Sequence, residues 1–198
     1  MQNIYTWIGF LAALFSVFAY VRLAKLVTNP SSDVAPNPAS WLVWLAVDGS
    51  IFVSSLAAGV TTTMAVFAVY TIGCLVIVVL VFRTGKIEWK PFDVVCLVTS
   101  AIAFVAWKMT GDPKIAIYLN IAVATAGTVP TIAQGWLTPE QEDLRVWQYF
   151  LAGGFVNLFA VEKWDFVNGA PPVAVFILQV LLLSAVFLGK RKAKLEVG

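Results

Sequence analysis

Long apolar runs, cut apart by short segments bearing Pro or Gly, restrict the folds open to this chain more than any other feature. Seven runs reach or nearly reach the roughly 20 helical residues that cross a hydrocarbon core. They are Ile4–Lys25, Pro38–Ala58, Thr62–Phe82, Phe92–Met109, Ile115–Gln134, Arg145–Val161 and Pro172–Leu188. The breaks read "TNPSSDVAPNP", "RTGKIEWKP", "TGDPK", "WLTPEQED" and "WDFVNGAPP", with a tighter one at Ala58–Thr62. Such breaks suit helix ends. The runs are continuously apolar and do not alternate, so they predict helices and not barrel strands. Composition agrees: 60% of the 198 residues are hydrophobic and 12% charged, against about 25% charged in soluble domains. The expected class is an all-α integral membrane protein.

What is missing narrows the chemistry. There is no histidine, which removes the commonest metal ligand and the usual neutral-pH base. Cys74 and Cys96 stand alone in apolar runs, without metal-ligand or CxxC spacing, and read as small buried hydrophobes. No nucleophile–base pair or paired carboxylate is assembled, so an enzyme is disfavoured. The last run has no lysine for a retinal Schiff base, and neither a filter loop nor rings of charge suggest a channel. The net charge of +2 comes without a basic stripe, which gives no nucleic-acid partner. No metal or other cofactor is called for. The implied partners are a small-molecule solute and the lipid bilayer. The oligomeric state is open, a homo-oligomer included.

Orientation follows from the basic residues. Arg22, Lys25, Arg83, Lys86, Lys90, Arg145, Lys190, Arg191, Lys192 and Lys194 fall on one side, and Lys108, Lys114 and Lys163 on the other. This predicts a cytoplasmic C-terminus and an outside N-terminus. The tail "GKRKAKLEVG" reads as a juxtamembrane anchor. Trp7, Trp41, Trp89, Trp107, Trp136, Trp147 and Trp164 lie near span ends and read mostly as an interfacial belt.

The chain also has an internal echo. "FAYVRLAKLVTNPSSDVAPNPASWLVW" and "TVPTIAQGWLTPEQEDLRVWQYF" each pass from a helix end through a Pro-bearing loop into an aromatic-led helix. An intervening fourth helix would restore direction, so two triplets could face each other across an axis normal to the membrane. Residues 1–83 would form the first triple-helix bundle, 84–110 the linker helix, and 111–198 the second bundle with its basic tail. "VPTIAQGWLTPEQEDLRVW" resembles a PQ-loop motif, with Pro130-Thr131 in place of Pro-Gln. "NPASWLVW" resembles a pattern in uncharacterised bacterial seven-helix members of the PQ-loop and SWEET-like superfamily. In the first unit the matching position reads Ala19-Tyr20. The third helix offers Tyr70, Thr71 and Cys74 where SWEET-type members have a pocket asparagine. The resemblance implies a 3+1+3 fold in a bacterial inner (plasma) membrane. It also implies a facilitator or proton-coupled carrier for a small polar solute such as a sugar, working by alternating access.

Polar residues deep in apolar runs are the candidate site, because an ionisable group at mid-membrane costs about 2.5–3.5 kcal/mol on insertion scales. Asp48 lies about ten residues into its span. Trp41, Trp44, Asp48 and Ser55 share a helical stripe. Asp48 could bond substrate, carry a coupling proton, or only bond a neighbouring helix. In the sixth run Trp147, Phe150, Gly154 and Asn157 share a face, and Gly153-Gly154 permits close approach of another helix. Asn120 and Gln179 are further lone polar groups, each a pocket or packing residue. Pro130, after Thr125 and Thr128, is either a hinge or an ordinary membrane-helix kink. The predicted substrate-binding set is therefore Trp44, Asp48, Asn120, Asn157 and Gln179, with Asp48 for proton coupling and Pro130 as hinge. Asp93 and "TPEQED" read as acidic helix starts, and "EKWD" as a solvated loop. Two other readings stay open: a non-transporting seven-helix receptor or sorting protein, and a transporter of a vitamin-like nucleoside.

Overall fold

The computed structural model describes residues 4–84, 91–110 and 113–197. Lys86, Trp89 and Lys90, and the side chains of Asp93, Cys96, Trp107 and Lys108, lie outside the described residues. Within them the chain is all helical: α1 (Ile4–Thr28), α2 (Pro38–Ala57), α3 (Met64–Thr84), α4 (Pro91–Thr110), α5 (Pro113–Leu137), a 3-10 turn at Pro139–Gln141, α6 (Leu144–Leu158) and α7 (Phe166–Val197).

Local chemistry sets the helix ends. Asn37 caps α2, its Oδ1 accepting from the N–H groups of Ala39 at 3.0 Å and Ser40 at 3.1 Å, and Pro38 follows at the first helical position. Between α2 and α3 the chain turns on Gly59, whose φ of 81° suits a residue without Cβ. The Gly59 N–H donates to the Leu56 carbonyl at 3.0 Å and the Val60 N–H to that of Ser55 at 2.9 Å. This Schellman pairing satisfies carbonyls that the helix end would otherwise orphan. It accounts for the tightest break in the sequence.

Two of the expected spans, the sixth and the seventh, need correction at their ends. The segment "WDFVNGAPP" is not a break throughout. Asp165 accepts from the Asn168 N–H at 2.9 Å and starts α7 at Phe166, so Pro171 and Pro172 lie inside the helix. Pro171 and Pro172 are the sixth and seventh residues of α7, past the four opening N–H groups that lack helical partners, so each forgoes one intrahelical hydrogen bond. At the other end α7 continues through the basic tail to Val197, 32 residues in all. In contrast α6 has only 15 residues, about 22 Å of helix, shorter than the expected run Arg145–Val161. It closes where the Phe159 and Ala160 N–H groups turn back to the Val156 and Asn157 carbonyls, just ahead of the exposed "EKWD" loop.

Four helices, α1, α2, α3 and α7, are long and apolar enough to cross a membrane among the described residues. Apolar residues fill the core, Val43, Ile51, Phe67, Ile77 and Val186 among them, with Ser16, Ser40, Asp48, Ser54, Asn120, Thr128 and Asn157 buried between them. Yet Ile4, Phe10, Leu14, Ile72, Leu75, Phe82, Ile177 and Phe187 are exposed. An exposed apolar surface of this extent needs an apolar solvent. The fold has the build of an integral membrane protein.

Packing follows the chain in a definite order. α3 lies between α1 and α2, and α7 lies between α5 and α6. α1 also packs on α6, α2 packs on α5, and α4 rests against both α2 and α5. Gly153 makes the α1–α6 approach possible: a Cβ there would sit 2.9 Å from the Ala12 carbonyl oxygen. At Gly154 it would collide with Gln179 Oε1 of α7, so the paired glycines do admit neighbouring helices.

Candidate functional site

The α2 stripe places Trp41, Trp44 and Asp48 towards the middle of the bundle, and five other helices complete a cavity around them. α1 supplies Tyr20, α3 Tyr70 and Cys74, α5 Ala124 and Thr128, α6 Trp147 and Phe150, and α7 Pro171, Leu178 and Gln179. The cavity encloses about 70 Å³, room for roughly five waters. Its wall is mostly aromatic. Trp41 and Trp44 meet at 5.2 Å and 80°, Trp44 and Trp147 at 6.1 Å and 77°, and Tyr20 and Phe150 at 4.9 Å and 82°.

Asp48 is the eleventh of 20 residues in α2, buried, and faces the middle of α3. Among the described residues its hydrogen-bond partner is the Cys74 thiol, at a long 3.8 Å. From Cys74 the contacts run to the Tyr20 hydroxyl at 3.2 Å. The same hydroxyl donates to the Tyr70 carbonyl at 3.2 Å. Gln179 Nε2 donates to the Tyr70 hydroxyl at 2.7 Å, while Gln179 Oε1 is buried without a partner among the described residues. The Trp44 indole N–H donates to Thr128 Oγ1 at 3.3 Å, and the Thr128 hydroxyl donates to the Ala124 carbonyl at 2.7 Å.

Of the expected binding residues, the structure brings Trp44, Asp48 and Gln179 to one wall. Asn120 and Asn157 lie off it. Asn120 faces the α2–α5 seam, where its Nδ2 donates to Ser50 Oγ at 2.9 Å. Asn157 is buried near the end of α6, and its Oδ1 has no partner among the described residues. Pro130 sits inside α5, which stays helical on both sides of it. Thr125 and Thr128 bond back to the carbonyls of Ile121 and Ala124 one turn before it, a habit that softens and bends helices.

Trp41 and Trp147 correct the belt reading: both are buried and line the cavity. Trp7, Trp136 and Trp164 are exposed, as belt residues would be. Tyr20 and Phe150 join the wall with no polar signal at their sequence positions beyond helical spacing.

One end of the bundle, near the α1 C-terminus and the α6 N-terminus, carries polar ties. Arg22 donates from Nε and Nη2 to the two carboxylate oxygens of Asp143, both at 2.7 Å. Asp143 Oδ1 also accepts from the Val146 N–H at 2.9 Å, capping α6. Burial pushes the Asp143 carboxyl up, but Arg22 and the cap outweigh it and hold the group below the usual carboxylate range. Next to this pair the Ala35 backbone accepts from Gln134 Nε2 at 2.8 Å and donates to the Gln141 carbonyl at 3.1 Å.

Glu142 is the unexpected residue here. Its sequence suggests only an acidic turn at the start of a helix. The structure buries it, with one oxygen accepting from the Trp147 indole N–H at 2.9 Å. Burial pushes its carboxyl up to about 8, against the pull of that N–H and of the Lys190 charge. The folded protein therefore holds a proton that the unfolded chain has released. Glu142 favours the fold fully below its ordinary 4.5 and progressively less as pH rises through 8. Glu142→Gln, which can still accept from Trp147, is expected to raise the melting temperature above pH 8 and to change it little below pH 4.5. Melting curves of both proteins across that range check this, and parallel curves would refute it.

Comparison with known protein families, with curated proteins and with solved structures finds no match to this chain. Its class rests on its own residues: an all-α membrane-type protein around a small aromatic cavity with one carboxylate.

Proposed function

We propose that the protein is a seven-span carrier of the PQ-loop and SWEET-like kind, moving a small polar solute by alternating access. The observation that carries this reading is the central cavity, walled by six helices and holding Asp48 at mid-helix. A lone carboxylate at that depth is tolerated where a wet or ligand-filled space awaits it. The packing supports a 3+1+3 layout. Replacing α1, α2 and α3 by α5, α6 and α7 turns each packing within the first triplet into one within the second, and exchanges the α1–α6 and α2–α5 seams. That is the relation expected of two parallel repeats joined by α4.

In this reading the Arg22–Asp143 end faces the cytoplasm, by the distribution of Lys and Arg. It is the closed gate, with Trp41 and Trp147 as the floor of the cavity. Asp48 binds solute or carries the coupling proton, Trp44 and Gln179 help to line the path, and Pro130 lets α5 flex. Asn120 and Asn157 serve the helix seams. A receptor of the same layout would have a pocket open to one face only. Val47, on the cavity wall, separates the two. Val47→Cys, in a protein whose native cysteines are serine, is expected to react with impermeant thiol reagents from each face of sealed vesicles. Reaction from one face under every condition would favour the receptor.

A further inference from the structure

We infer that the cavity is built for a small organic cation, an ammonium group of about choline size. The inference rests on the solute-site reading above and names its substrate class. Charge is the first argument. Among the described lining residues there is one carboxylate, Asp48, and no lysine or arginine. That carboxylate has only a thiol at 3.8 Å to meet it.

The donors are the second argument. A sugar or an anion needs donors from the wall, and four of those present are already engaged within the protein. The Trp44 N–H goes to Thr128, the Trp147 N–H to Glu142, the Tyr20 hydroxyl to the Tyr70 carbonyl, and Gln179 Nε2 to the Tyr70 hydroxyl. Ring geometry is the third. A sugar ring or a base stacks best on a flat or parallel pair of rings. Here Trp44 meets both Trp41 and Trp147 close to right angles, as Tyr20 meets Phe150, and Phe150 is tilted by 46° and 44° against Trp41 and Trp147, so none of these pairs is parallel. Rings so arranged wall a box. A box of aromatic rings with one negative group suits a rounded cation, whose charge is drawn to the ring faces.

The test uses the purified full chain. It is titrated with choline, with the neutral carbon isostere 3,3-dimethylbutan-1-ol, and with glucose, while tryptophan fluorescence and melting temperature are followed. Choline is expected to bind at least about tenfold more tightly than its isostere and to outbind glucose. In Asp48→Asn the preference for choline over the isostere should shrink to about twofold or less. Retained binding of the isostere, together with a cooperative melt at or above the wild-type temperature, shows that the variant is folded. No response to choline, equal binding of the isostere, stronger binding of glucose, or a preference that survives Asp48→Asn would each overturn the inference. Choline binding without uptake into proteoliposomes would instead remove the carrier reading and leave the cation site standing. Glucose uptake without choline binding would do the reverse.

Discussion

Asp48→Asn is expected to reduce proteoliposome uptake at least about tenfold while raising the melting temperature by several degrees. The two effects have one cause. A carboxylate at mid-helix costs about 2.5–3.5 kcal/mol on insertion scales, and a single thiol at 3.8 Å offsets little of that. Asn keeps the shape and removes the charge, so part of the cost returns as stability, at about 2–4 °C per kcal/mol for domains of 150–250 residues. What is lost is the charge that a solute or proton would meet. The measurement is paired: initial uptake rates for whichever tested solute the wild-type protein carries, and melting in the same detergent. Full uptake by the variant would take Asp48 out of the mechanism. Lost uptake with a lowered melting temperature would mean that the residue is a structural tie.

The second large effect concerns the Arg22–Asp143 pair. Its geometry is bidentate, both bonds are 2.7 Å, and the side chains are 34% and 16% exposed. Partial solvent access limits the worth of such a pair to about 1 kcal/mol. In an equilibrium between two gate states, 1 kcal/mol is about a fivefold shift. Arg22→Gln removes the charge and the guanidinium fork, leaving a shorter amide side chain. Asp143→Asn keeps an oxygen that can still cap α6 through the Val146 N–H. Each is expected to raise the labelling rate of Val47→Cys from the Arg22 side about fivefold, and the double variant no further. Additive increases would show that the residues act separately. Unchanged rates would show that this end of the bundle is held shut by its packing and the Ala35 ties alone.

Much of this fold could be read from the chain before any coordinates. Uninterrupted apolar runs leave a backbone little choice but helix, and Asn37-Pro38 spells out a helix start in two letters. The sequence was less open about where helices stop. The prolines at 171 and 172 read as a break because proline forgoes a helical hydrogen bond, whereas Asp165 starts the helix ahead of them through a contact invisible in composition. Asp48 announced itself, being a charge where lipid permits none without reason. Trp44 and Gln179 came with it, but other neighbours were less plain. Trp41 and Trp147 share the span-end position of true belt tryptophans, and only packing between helices decides whether such a ring faces headgroups or a cavity. Glu142 sits in a run of acids that looks solvated. Nothing in the run says that Trp147, one helical turn on, will fold back over it.

The continuity of α7 has a mechanical consequence. Its 32 residues make a rod of about 48 Å, against a hydrocarbon layer of about 30 Å. Gln179 lies on the cavity wall and Lys190, Arg191, Lys192 and Lys194 lie on the protruding arm, with no break in the helix between them. On the carrier reading proposed above, a tilt made to admit solute would swing the charged tip sideways through the headgroup layer. The anionic lipids there would resist or favour that swing, so bilayer composition would act on such a cycle as a brake or spring.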